Sequence, residues 1–262
     1  MGAVLIAPLP TTCDIPRMTQ TLYAIGDIHG QLGMLEAALA QIEADGGRNA
    51  RVVFLGDYVD RGPDSKGVID TLVRGLADGR DWVCLKGNHD RFFEWYLDPD
   101  GPRFDPHLLV GYHWFHPAIG GTETIASYDV YLPDRIRKTD LAELLHAAVP
   151  DTHKAFLRGL KTAHHQDGRF FAHAGIRPGV PLDQQAENDL LWIRQEFHSD
   201  KRDHGALVVH GHTPVDAPER YANRINLDTG AGYGRPLTVA GFEGEDVFIL
   251  TAKGRQHLPS RS

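Results

Sequence analysis

Six short apolar runs in this chain each end in Asp, Asn or His beside a glycine, and this recurrence restricts the possible folds more than any other feature of the sequence. Leu22–Ile25 runs into Gly26-Asp27-Ile28-His29-Gly30, and Val52–Leu55 into Gly56-Asp57. Trp82–Leu85 is followed, after Lys86, by Gly87-Asn88-His89-Asp90. Phe170–Ala172 leads to His173-Ala174-Gly175, Leu207–Val209 to His210-Gly211-His212, and Ile225–Leu227 to Asp228-Thr229-Gly230. Short, continuously apolar runs bounded by glycine read as buried strands. Between the first three lie amphipathic helices, one marked by Leu32, Leu35, Leu39 and Ile42 and ended at Asp45-Gly46-Gly47, the other by Val68, Ile69, Leu72, Val73 and Leu76. Strands alternating with helices imply βαβ units and a mostly parallel sheet. The close spacing of Ile225–Leu227, Pro236–Phe242 and Val247–Leu250 predicts antiparallel pairing among the last strands, so the class is α/β with mixed sheets. Open α/β sheets bind ligands beyond the carboxyl ends of their strands, where these polar residues would converge.

The length, 262 residues, suits one large domain or two small ones. We expect a disordered leader at residues 1–20, because the apolar start lacks a basic region before it. A single domain is expected over 21–252 and a flexible tail over 253–262. The break Asp98-Pro99-Asp100-Gly101-Pro102 opens a helical insertion or lid at about 98–168, with a helix at Leu141 to Val149 preceded by Asp140. A net charge of −8 argues against a protein that wraps a nucleic-acid duplex. No apolar run reaches the roughly 20 residues of a membrane helix. Two cysteines, Cys13 and Cys84, make no disulfide framework, so a reducing, cytoplasmic setting is expected.

Asp, Asn and neutral His are oxygen and nitrogen donors for divalent transition metals. No thiolate accompanies them, which argues against a closed structural zinc site. The donors outnumber what one ion needs, whereas two ions about 3.5–4 Å apart, sharing a carboxylate, would use them. Each motif alone has a plainer reading. Asn88-His89-Asp90 could cap a helix carrying Phe92, Phe93 and Tyr96, and Asp228-Thr229-Gly230 could be a turn. His107, His113, His116, His164 and His165 lie in polar or irregular stretches and read as surface or packing residues.

Taken together, Gly-Asp-Ile-His-Gly, Gly-Asp-Tyr-Val-Asp-Arg-Gly, Gly-Asn-His-Asp, the lone His173 and Gly-His-Thr-Pro resemble the calcineurin-like metallophosphoesterases, from about Leu22 to Leu250. The Val59-Asp60-Arg61-Gly62 arm resembles their phosphoprotein phosphatase branch in its bacterial and phage form. The resemblance implies a four-layer fold, two mixed sheets sandwiched between helices. It also implies a dinuclear metal site, with Asp27 and His29 on the first ion, Asp57 bridging, and Asn88, His173 and His212 on the second. His210 is expected to be a strand residue near the site and not a ligand. By the same resemblance His89 is the general acid, oriented by Asp60, a pairing expected to raise the imidazole pKa. Arg61 would grip phosphate, together with Asn88 and His89, and Arg194 of Leu191-Trp192-Ile193-Arg194 would be the second phosphate-binding arginine. The alternative for Arg194 is the solvated side of a helix whose buried face is Leu190, Leu191, Ile193 and Phe197. Two divalent ions are implied, manganese foremost, with iron, zinc, nickel and cobalt compatible with the donors. The reaction implied is direct attack by metal-activated hydroxide, with no phosphoenzyme.

Three functions are compatible with these residues. The first expectation is a protein phosphatase acting on phosphoserine, phosphothreonine or phosphotyrosine in proteins or peptides. The alternative is a symmetrical bis(5'-nucleosyl)-tetraphosphatase acting on a small dinucleotide phosphoester, a group that Ala172-His173-Ala174-Gly175-Ile176 resembles. Asp60-Arg61 and the Trp192–Arg194 segment resemble the phosphatase group more. A degenerate scaffold serving as a binding module should have lost ligands or the His89–Asp60 pair, and neither is missing. Neither a nucleic-acid duplex nor a membrane is an expected partner.

Overall fold

The structure is a computed structural model that describes residues 20–133 and 135–261, so the expected leader lies outside the described residues apart from Gln20. The elements follow the chain as β1 (Leu22–Ile25), α1 (Leu32–Gly46), β2 (Arg51–Phe54), α2 (Ser65–Ala77), β3 (Trp82–Cys84) and α3 (Asn88–Leu97). Next come α4 (Gly121–Ala126), α5 (Lys138–Ala148), α6 (Asp151–Gly159), β4 (Ala163–Gln166) and β5 (Arg169–Ala172). The last third holds α7 (Glu187–Trp192), α8 (Gln195–His198), β6 (Leu207–His210), β7 (Glu219–Arg220), β8 (Arg224–Asn226), β9 (Val239–Glu243), β10 (Asp246–Thr251) and β11 (Gly254–His257).

The strands form two mixed sheets, one in the order β11-β10-β9-β1-β2-β3 and the other β4-β5-β6-β8-β7. In the first, β1 and β2 are parallel with Leu22 opposite Arg51, and β1 and β9 antiparallel with Leu22 opposite Phe242. Strand side chains alternate between faces. Leu22 and Ala24 of β1 therefore join Phe171, Val209 and Ile225 in a core between the sheets. Tyr23 and Ile25 point the other way, into a core with Leu35 and Ile42 of α1 and Val68 and Leu72 of α2. On the far side, Phe170 and Val208 pack against Leu190, Ile193 and Phe197. The result is the expected four-layer stack of helices, sheet, sheet and helices. Strands covered on both faces read as unbroken apolar runs, which explains the sequence pattern.

Two expectations fail. The strand near Ile225 does not pair with the strands after it. It runs parallel to β6 in the second sheet, while β9 crosses to the first and pairs with β1 and β10. The sheets press together at this crossing, where a Cβ on Gly26 would lie 2.4 Å from the Leu227 carbonyl oxygen. The expected tail is also partly ordered, because Gly254–His257 forms edge strand β11 against β10. The 98–168 segment carries α4, α5 and α6 joined by long irregular stretches, and it ends in β4. Its Leu141, Leu145, Phe156 and Leu157 share the core of α1 and α2, so it thickens the outer layer of the first sheet. No described helix is long and apolar enough to cross a membrane.

Helix α2 and strand β3 meet at Gly75, where a Cβ would fall 1.8 Å from Trp82 Cζ3. Trp82 cannot easily retreat, since its ring packs edge-on against Phe54 at 5.2 Å. Alanine normally improves a helix by about 1 kcal/mol over glycine. Overpacking a core costs about 1–3 kcal/mol. Gly75→Ala is therefore expected to lower the chemical-denaturation midpoint, and an unchanged or raised midpoint would show that packing does not limit this contact.

Candidate active site

The ends of β1, β2 and β3 are tied together at Asp57. Its carbonyl accepts the N–H groups of Ile28 and His29 at 3.1 and 2.8 Å. Its own N–H, with those of Tyr58 and Gly87, donates to the Asp90 carboxylate at 2.8–2.9 Å. Its carboxylate accepts the His89 N–H at 3.0 Å. Positive φ is uncommon outside glycine. Among the described residues seven non-glycines have it, and five of them, His29, Asp57, Asp60, Arg61 and His212, lie here. Backbone held in this region clusters at sites where the side chain must be aimed.

Two sets of donor atoms result. Those of His29, Asp57 and His89 lie within 4.8 Å of one another, as do those of Asp57, His173 and His212, and Asp57 is common to both. His29 Nδ1 donates to the Val59 carbonyl at 2.8 Å and His173 Nδ1 to that of Leu55 at 2.9 Å. These backbone bonds fix the tautomer and leave each Nε2 lone pair facing Asp57, at 3.4 and 3.5 Å. Asn88, at the head of α3, places its Oδ1 3.0 Å from His173 Nε2. Asp27 belongs to neither compact set, and its carboxylate accepts the His212 N–H at 3.1 and 3.3 Å.

The electrostatics suit a cation. Burial pushes Asp57 up to about 7, and burial with the charges of Asp228 and Asp57 pushes Asp27 well above the usual range. Burial holds His29 and His212 well below their ordinary value and His173 down to about 4. Neutral imidazoles beside mutually repelling carboxylates are a donor set that a divalent ion would relieve. Asp228, read from sequence as a strand-end residue with no assigned role, is one of the repelling charges.

His89 Nδ1 lies 2.6 Å from Asp60 Oδ2. Asp60 is fully buried, and three side chains hold it. Trp114 Nε1 donates to both carboxylate oxygens at 3.0 Å. Thr124 Oγ1 donates to Oδ1 at 2.7 Å and accepts the Asp60 N–H at the same distance, and Ser65 Oγ accepts that N–H at 3.2 Å. The expected rise in the imidazole pKa is reversed. Burial and then the Arg61 guanidinium hold His89 well below its usual value, while burial raises Asp60. The short contact thus joins two groups whose burial disfavours charge on each.

Arg61 meets His29 Nε2 through Nη1 and His89 Nε2 through Nη2, the latter at 3.1 Å. Arg194 does not lie on a helix face. α7 stops at Trp192, and Arg194 adopts φ −134°, ψ −101° before α8, which turns its Nε to within 3.1 Å of His212 Nε2. Both guanidinia face a cleft of ≈ 460 Å³ that Asp57, Asn88, His89 and His212 also line. His210 packs against Phe197 and His198, with ring centroids 5.1 and 5.3 Å away, and belongs to neither donor set.

A family model described as calcineurin-like phosphoesterase matches residues 21–236. The chain belongs to the calcineurin-like phosphoesterases. This phosphoesterase is 30% identical over 240 residues to the asymmetrical bis(5'-nucleosyl)-tetraphosphatase PrpE of Anoxybacillus flavithermus, an alignment covering 82% of this chain and 87% of that one. A symmetrical bis(5'-nucleosyl)-tetraphosphatase of Pseudomonas fluorescens is 33% identical over 160 residues, covering 60% of this chain and 42% of the relative. The cold-active protein-tyrosine phosphatase of a Shewanella species shares the fold, with a TM-score of 0.61 at 15% identity over 92% of this chain and 80% of that one. The phosphoesterase is accordingly a phosphoester hydrolase of a family that uses divalent metals, and its His and Asp groups could hold them.

Trp114→Phe would keep the ring stacked near Phe93, whose centroid is 5.5 Å away, and remove the indole N–H from Asp60. Removing the donor from a buried acceptor costs roughly 1–3 kcal/mol. The variant should lose stability of that order in urea denaturation, and a loss under about 0.5 kcal/mol would mean that Thr124 and His89 satisfy Asp60 alone.

Proposed function

We propose that this phosphoesterase hydrolyses dinucleoside polyphosphates, cleaving diadenosine tetraphosphate asymmetrically into ATP and AMP. The observation that carries the reading is that relatives aligned with 82–90% of the chain are asymmetrical tetraphosphatases by name. The shorter alignment with a symmetrical tetraphosphatase supports a substrate of the same class. This replaces the protein phosphatase expectation as the leading function, because Asp60 and Arg61 suit any phosphoester and do not select a phosphoprotein.

Asp27, His29 and Asp57 would hold one divalent ion, and Asp57, Asn88, His173 and His212 would hold a second. Manganese is the ion that the family resemblance favours, and iron, zinc, nickel or cobalt would suit the same nitrogen and oxygen donors. Bound there, the ions supply Lewis-acid polarisation of the phosphoryl group and a lowered water pKa. Arg61 and Arg194 hold the non-bridging oxygens where charge grows. Asp60 fixes His89 through Nδ1, so Nε2, once Arg61 turns from it to the phosphate, is the atom that would hand a proton to the departing oxygen. A nucleotide phosphate is a better leaving group than an alkoxide and needs that proton less.

His89→Asn should therefore slow an alkyl phosphomonoester by about 10²–10⁴-fold and diadenosine tetraphosphate by clearly less. Equal losses on both would remove His89 from the acid role. Asp57→Asn should lose both ions by metal analysis, and two ions per chain in that variant would overturn the shared-ligand assignment. The decisive assay sets manganese-loaded enzyme on diadenosine tetraphosphate beside a phosphoserine peptide. We expect at least tenfold higher kcat/KM on the dinucleotide, with ATP and AMP as products. Two ADP would make the cleavage symmetrical, and faster peptide turnover would restore the phosphoprotein reading.

A further inference from the structure

The cleft contains an aromatic ring that neither the donor sets nor the acid pair uses. Tyr233 is 60% exposed and lines the same cleft as Arg61, Arg194 and His89. It stands on a tight turn, Ala231–Tyr233, closed by Tyr233 N–H on the Gly230 carbonyl and Gly234 N–H on that of Ala231, both at 2.9 Å. The base of the turn is clamped by Thr229 Oγ1, which donates to the Pro236 carbonyl at 2.7 Å and lies 2.7 Å from Thr238 Oγ1. Its middle rests directly on a donor residue, for a Cβ on Gly232 would come within 2.7 Å of His29 Cδ2. The backbone that carries the ring is thus held against His29. The Arg61 guanidinium lies 4.9 Å from its centroid.

An exposed tyrosine alone would mean little. Here an aromatic ring on a braced turn, a guanidinium beside it and a set of His and Asp donors share one cleft. A nucleotide presents the complementary groups, an aromatic base and a phosphate on one short framework. Aromatic side chains bind bases through their π-faces with little regard to sequence, and tyrosine loses few rotamers in doing so. A seryl or threonyl phosphate brings no ring to stack. The insertion contributes Leu109, 68% exposed, and Tyr112 to the same cleft, so apolar surface also comes from outside the turn.

We propose that Tyr233 is the stacking platform of a nucleobase subsite, holding the base of the nucleotide whose phosphate Arg61 grips. The proposal deepens the dinucleotide reading and rests on it for the natural substrate, but the subsite can be tested without that substrate. Manganese-loaded enzyme is assayed with p-nitrophenyl phosphate as reporter, and inhibition constants are measured for AMP and for inorganic phosphate. The quantity read is the ratio of the phosphate constant to the AMP constant, which isolates what the nucleoside adds. Stacking on an aromatic side chain should make Tyr233→Ala lower this ratio by about tenfold to a hundredfold. Tyr233→Trp should keep it within about threefold, since a larger ring stacks at least as well. An unchanged ratio in Tyr233→Ala overturns the subsite, and so does an equal fall in Tyr233→Trp, which would mean a disturbed turn. Wild-type enzyme that fails to cleave diadenosine tetraphosphate yet shows the expected ratios refutes the dinucleotide reading and leaves the subsite standing. Cleavage with a ratio insensitive to Tyr233→Ala does the reverse.

Discussion

One buried carboxylate, that of Asp90, fastens the ends of β2 and β3 to each other. It accepts three backbone N–H groups, from Asp57, Tyr58 and Gly87, in a place where water cannot substitute. The cost is visible in its pKa, which burial and the neighbouring Asp57 push up to about 7. The return is geometric. With those N–H groups fixed, Asp57 leaves β2 through a left-handed residue, and α3 starts at Asn88 with His89 beside it. Left-handed backbone at a non-glycine residue costs on the order of 1–3 kcal/mol. The clasp, together with the His29 and Ile28 N–H groups on the Asp57 carbonyl, is what keeps several such residues in place at once.

The two sheets contribute unequally to the chemistry. The first carries Asp27, His29, Asp57, Asn88 and the His89–Asp60 pair, all within the first 90 residues. The second supplies His173 and His212, and with them Asp228 as a nearby charge. The insertion has a share that its position does not advertise. It packs in the outer helical layer, yet Trp114 and Thr124 reach inward to saturate Asp60. The orientation of His89 is thereby set by residues from a segment that looks peripheral.

Much of this was legible in the sequence because the motifs are local. A strand, a glycine and a polar residue within five positions carry their own geometry, so the alternation of elements, the sheet ends and the converging donors could be read directly. What could not be read depends on long-range contact. Trp114 and Thr124 are 54 and 64 residues from Asp60, and no spacing links them to it. Leu190, Leu191, Ile193 and Phe197 mimic one helical face, although the chain breaks after Trp192 and Arg194 owes its direction to that break. The pairing of β8 was misjudged because sequence proximity favours neighbours, and the crowding of Gly26 against Leu227 belongs to sheet packing. β11, built from exposed Gly254-Arg255-Gln256-His257, lacks the apolar alternation that marks a strand. The fall in the His89 pKa needed knowledge of burial and of Arg61, neither of which a motif encodes.

The Asp27 carboxylate takes its backbone hydrogen bond from His212, 185 residues further along the chain. During synthesis, then, the acidic half of the donor cluster emerges well before the β6 strand that delivers its counterpart. A chain stopped between the two sheets would hold Asp27 and Asp57 in proximity with neither His173 nor His212 to complete the set. The donor set of Asp57, His173 and His212 is therefore complete only once β5 and β6 have joined the fold, whereas that of His29, Asp57 and His89 needs the first sheet alone.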